Sequence, residues 1–106
     1  MKVSYLIALS TALSFSAGAF AADDGETLFK KSGCNVCHSV DKKVLGPAYK
    51  DVAAKYKDNK DAQAMLEAKV RNGGGGVWGK VPMPPAPKTV SDESIKIIIQ
   101  WVLSQK

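Results

Sequence analysis

The chain reads as an all-α domain of about four helices. Apolar residues recur three and four positions apart in four segments, and no segment alternates apolar and polar residues as a half-buried strand would. Its 106 residues allow one core rather than two. No internal repeat or low-complexity tail is evident beyond a short glycine run.

Lys2 precedes an apolar run from Tyr5 to Phe15, and the stretch closes on Ala19, Phe20 and Ala21, the small-x-small pattern of a signal peptidase site. Residues 1–21 are therefore expected to be a cleaved export signal, and 22–106 the working domain. The run contains Ser10, Thr11 and Ser14 and falls short of the roughly 20 apolar residues that cross a bilayer, so it does not read as a permanent anchor. Cleavage removes one charged residue, Lys2, and takes the formal charge from +5 to +4. That small excess, together with export, argues against a nucleic-acid partner.

Asp23 or Asp24 can cap a first helix carrying Leu28 and Phe29, and Gly33 suits the left-handed residue that stops it. After a polar, lysine-rich loop from Ser39 to Gly46, Pro47 is expected to open a second helix with Tyr49, Val52, Ala53 and Tyr56 on one stripe. Asp58, Asn59 and Lys60 make the turn. Ala62, Met65, Leu66 and Val70 predict a third helix from near Asp61 to Asn72 and Gly73.

Four glycines and Pro82, Pro84, Pro85 and Pro87 exclude regular structure from residues 73–90, an irregular loop long enough to need a functional reason. Ser91 is a good N-cap, followed by Asp92 and Glu93 in the first turn. Ile95, Ile98, Ile99, Val102 and Leu103 then repeat at helical spacing. This last helix is expected to pack on the first.

Small domains often need a staple, and two cysteines this close in sequence close no useful disulfide loop. Cys34-Asn35-Val36-Cys37-His38 instead matches Cys-x-x-Cys-His, the attachment sequence for c-type haem. Residues three apart share a face of a helical turn, so both thiols can reach the two vinyl groups of one porphyrin while His38 turns towards the iron. A thioredoxin-like dithiol would sit beside a βαβ unit, for which this sequence has no strands. Structural zinc needs four ligands, and the chain holds two Cys and one His.

The sixth position of the iron separates a carrier from an oxygen binder or peroxidase. With no second histidine, the candidates are methionines. Met1 leaves with the signal, and Met65 reads as core filling on the stripe of the third helix. Met83 lies between Pro82 and Pro84, which restrict the backbone on both sides and present its thioether with less ordering entropy. A closed His38/Met83 pair describes an electron carrier, not an enzyme. A haem enzyme or gas sensor would have to displace Met83, and no distal histidine or paired acid accompanies it.

These residues resemble the short bacterial class I cytochromes c of the cytochrome c-551 type, periplasmic donors to respiratory reductases and oxidases. The resemblance runs from residue 24 to 106. It rests on Cys34 to His38, the run from Leu45 to Lys55, Gly76-Val77-Trp78-Gly79, Pro82-Met83-Pro84-Pro85, and the ending Trp101 to Lys106. It implies helices wrapped around one covalent haem c, His38 and Met83 as axial ligands, and the Pro47 carbonyl accepting the other imidazole N–H.

It also implies that the Trp78 indole reaches a haem propionate, where the alternative is an ordinary core aromatic. A propionate-pairing base falls at Lys69, with Arg71 nearby on a different face. The partners it implies are redox proteins docking transiently at the haem edge, such as a nitrite reductase, a quinol-oxidising cytochrome complex or an oxidase. A soluble periplasmic monomer is expected. The loop after Met83 is about two residues longer than the usual pattern of that family and has Ala86 where an Asn is common.

Two weaker signals remain. Gly74 to Lys80 fits the glycine and lysine spacing of a P-loop, but Val81 stands where Ser or Thr would bind magnesium and prolines bar the cradle helix. Lys30, Lys31, Lys42, Lys43 and Lys80 cluster near the motif and the loop, either ringing an exposed haem edge for an acidic partner or forming a solvated surface.

Overall fold

Asp24 starts the first helix. Its backbone is extended, and its carboxylate accepts the Thr27 N–H at 2.8 Å, satisfying one of the donors that a helix start leaves open. The computed structural model describes residues 23–106, so the export signal expected at 1–21 lies outside the described residues. Helix α1 spans Gly25–Lys31, with Glu26 in its first turn and Lys30 and Lys31 in its last, signs that suit the helix dipole. Gly33 follows in the left-handed region, with φ of 77°. A single 3₁₀ turn, Cys34–Val36, comes next.

Helix α2 spans Tyr49–Lys55, α3 Ala62–Asn72 and α4 Asp92–Leu103. Pro47 does not open α2, as its sequence position suggested; extended Ala48 caps it. The reason lies in the backbone groups. Inside the helix, the Pro47 carbonyl would enter the intrahelical ladder, whereas here it accepts a hydrogen bond from His38. The open Tyr49 and Lys50 N–H groups at the start of α2 donate instead to the Ser39 and Val40 carbonyls.

Helix α4 is the centre of the core. Ser91 caps it, accepting from the Ser94 N–H, and Ile95, Ile98, Ile99 and Val102 are buried against α1, α2 and α3. Gly25 lets α1 approach α4 closely, because a Cβ there would stand 2.6 Å from Trp101 Cγ. The Phe29, Tyr49 and Trp101 rings meet at centroid distances of 5.2 to 5.8 Å and lock the two helices to α2.

Met65 departs from the expected core stripe and is 40% exposed. The face of α3 turned to α4 runs through Gln63, Leu66 and Val70, and Gln63 donates its side-chain amide to the Lys96 carbonyl on α4. At about 100° per residue, Met65 lies more than a quarter turn from that face. Residues 73–90 are irregular as expected, apart from an isolated antiparallel bridge between Gly74 and Met83. No helix among the described residues is long and apolar enough to cross a membrane.

Candidate functional site

The left-handed Gly33 turns the chain out of α1 and into the 3₁₀ turn. The Cys37 and His38 N–H groups both donate to the Cys34 carbonyl, at 3.2 and 2.9 Å, which winds the two thiols and the imidazole onto one cavity. That cavity has a volume of about 410 Å³. Leu66, Ile98, Ile99 and Val102 form its apolar back wall, and Met83 and Trp78 line it from the long loop.

The imidazole sits in a slot. Its Nδ1–H donates to the Pro47 carbonyl at 2.9 Å. The Tyr49 ring stacks on it at a centroid distance of 4.8 Å and an interplanar angle of 25°. Gly46 closes the slot, since a Cβ there would lie 2.8 Å from Nδ1 and 2.9 Å from Nε2. In the neutral ring, a donor at Nδ1 leaves the lone pair on Nε2, the form of imidazole that ligates metal.

Neither Gly46 nor Tyr49 was singled out by the sequence as a site residue. A glycine directly before a proline already signals a close backbone approach. Tyr49 gives no such signal, because its place on the α2 stripe looks like ordinary core.

The Met83 segment is fastened to the end of α3. Its N–H donates to the Gly74 carbonyl at 2.7 Å, and the Gly74 N–H returns a bond of 3.0 Å to the Met83 carbonyl. Gly73, at φ of 73°, packs so closely that a Cβ would stand 2.6 Å from the Met83 carbonyl oxygen. The glycine run is thus backbone packed against the Met83 loop, and no P-loop cradle forms.

Trp78 is 37% exposed, so it is a wall of the cavity and not a core aromatic, and the Lys55 ammonium lies 5.5 Å from its ring centroid. Lys69 lines the cavity; Arg71 instead faces the far side of α3 and bonds Asp92. Among the lysines near the motif, Lys43 and Lys80 border the cavity, whereas Lys30 and Lys31 pair with Glu26 and Asp23 on the surface of α1. The basic rim is narrower than the sequence suggested.

Burial pushes the Cys34 thiol up, against a smaller opposing effect of its contact with Tyr49. Burial likewise raises the Tyr49 hydroxyl far above its usual range. A reactive Cys-x-x-Cys pair needs the reverse, a lowered thiol in a positive setting. Among the described residues no group of three His, Cys, Asp or Glu gathers as a metal site of the zinc kind.

Two thiols, one imidazole with a free Nε2 and an apolar wall fit a porphyrin joined through thioethers. The cytochrome c family model matches residues 22–106. The chain belongs to the cytochrome c family.

This cytochrome is 49% identical to cytochrome c-551 of Pseudomonas aeruginosa over 98 residues, covering 92% of this chain and 91% of that one. The crystal structure of Nitrosomonas europaea cytochrome c552 matches it with a TM-score of 0.73 at 48% identity, covering 76% of this chain and 99% of that one. The class 1 cytochrome MtoD of Sideroxydans lithotrophicus matches with a TM-score of 0.64 at 32% identity, covering 76% and 91%. The all-α class I fold expected from the sequence is the one found. The cytochrome is an electron carrier with covalently bound haem c, not an enzyme.

Proposed function

We propose that this cytochrome is an exported periplasmic carrier of single electrons, with haem c joined to Cys34 and Cys37 and ligated axially by His38 and Met83. The observation that carries the reading is the convergence of both thiols, the imidazole and the Met83 segment on one apolar cavity. Bound there, haem c supplies an iron that alternates between ferric and ferrous states and so exchanges one electron at a time.

The chain's own residues do the rest. Pro47 fixes the tautomer of His38 and raises its basicity through the 2.9 Å hydrogen bond. Met83, held by Gly74 and flanked by prolines, offers an uncharged soft thioether that favours the ferrous state. With His38 and Met83 both on the iron, no ligand position would be left open for a substrate. Lys69 and the Trp78 indole N–H are the groups that hold the propionates, Lys69 by charge and Trp78 as a donor.

Docking takes place at the cavity mouth, where Val44, Leu45, Val77 and Val81 are exposed and Lys43 and Lys80 stand at the border. The partners are redox proteins such as a nitrite reductase, a quinol-oxidising cytochrome complex or an oxidase, met through a small, wet interface. The carrier works as a monomer.

Expression of the full chain in a host that matures c-type cytochromes tests this reading. The periplasmic product is expected to keep haem after denaturation and to have the mass of residues 22–106 plus one haem. Haem that leaves on denaturation would end the covalent assignment, and a cytoplasmic, uncleaved product would end the export assignment.

A further inference from the structure

The chain after Met83 is firmly tied to α3. The Ala86 N–H donates to the Val70 carbonyl at 2.9 Å. One residue further along α3, the Arg71 guanidinium reaches over the same stretch. Nη1 donates to the Pro87 carbonyl at 3.4 Å and Nη2 to the Val90 carbonyl, while Nε and Nη2 bond Asp92 Oδ1 at 3.0 and 2.9 Å.

A planar fork with five donors holds two carbonyls and a carboxylate from three separate nitrogens, whereas a lysine would have to reach all three acceptors from one nitrogen. The Asp92 carboxylate keeps the fork aimed, since it projects from the first turn of α4. The last turn of α3 and the residues just beyond it therefore address the Met83 segment from both directions. Gly74 pairs with Met83 itself, and Val70 and Arg71 hold the return path from Ala86 to Val90.

We propose that Arg71 is a positioning residue that clamps the loop after Met83 to α3 and so sets how readily the Met83 segment opens away from the cavity. The proposal rests on the reading of Met83 as an axial ligand. Loss of the fork leaves Gly74 and Val70 as the remaining backbone ties, so the segment still closes but opens more often. Hydrogen bonds to a charged donor contribute enough for a change of about tenfold in opening.

The test uses the ferric haem-loaded protein and cyanide at saturating concentration, where replacement of the methionine is limited by opening of its segment. Arg71→Gln and Arg71→Lys are both expected to bind cyanide about tenfold faster than the parent protein. Asp24→Ala, which removes the cap of α1, is expected to lower the denaturation midpoint and leave the cyanide rate unchanged.

Arg71 variants that lose stability but keep the parent rate would overturn the clamp, and so would a lysine variant that behaves as the parent. A parent protein without a methionine-to-iron absorption band would remove the reading of Met83, and the clamp with it. A parent band with unchanged Arg71 variants would remove the clamp alone.

Discussion

His38 and Pro47 are joined by a 2.9 Å hydrogen bond from Nδ1–H to the proline carbonyl, and this bond decides where α2 begins as well as which ring nitrogen is free. The carbonyl left out of the helix is the one that sets the imidazole. Fold and site meet in that single group.

Gly46→Ala tests the slot around His38. The new Cβ would lie 2.8 to 2.9 Å from the ring nitrogens, closer than side chains tolerate, so either the ring or the Gly46-Pro47 backbone must move. A destabilisation of about 1–3 kcal/mol is expected from such overpacking. The imidazole resonances of the ferric protein should shift as well. Unchanged resonances would show that the slot is looser than the structure indicates.

Gly25→Ala tests the packing of α1 on α4. Its Cβ would meet the Trp101 side chain at 2.6 Å from Cγ, and neither Gly25 nor Trp101 lines the cavity. Chemical denaturation should show a loss of about 1–3 kcal/mol with the haem absorption spectrum unaltered. A spectral change without loss of stability would contradict the separation of core and site.

Asp24 gives a pH dependence. The Thr27 backbone N–H, bonded to its carboxylate, is the main reason its pKa falls below the usual 3.8. A depressed carboxylate stabilises the fold fully above its unfolded value, and that contribution disappears as pH falls through the lower folded value. The Thr27 amide resonance should therefore titrate with a midpoint below 3.8. A midpoint at or above 3.8 would mean that the cap is not formed in solution.

Much of this was legible in the sequence because the signals were local. The stripe of α4, the Ser91 cap and the left-handed Gly33 depend on neighbours a few residues away, and each has the expected role. Met65 and the start of α2 were misread because each depends on distant groups. Packing of Leu66 and Val70 on the apolar face of α4 decides which side of α3 turns inward, and His38 claims the Pro47 carbonyl. Tyr49 and Arg71 were missed in their present roles for the same reason, since stacking on His38 and bonding across to Val90 exist only once the chain is folded.

The central claim is the pairing of His38 with Met83 on the iron. The most direct measurement is the near-red absorption of the ferric protein, where methionine sulfur bound to iron gives a charge-transfer band. The band is expected in the parent chain and in Met65→Ala, and absent from Met83→Ala. A band that survives Met83→Ala and vanishes in Met65→Ala would contradict the account.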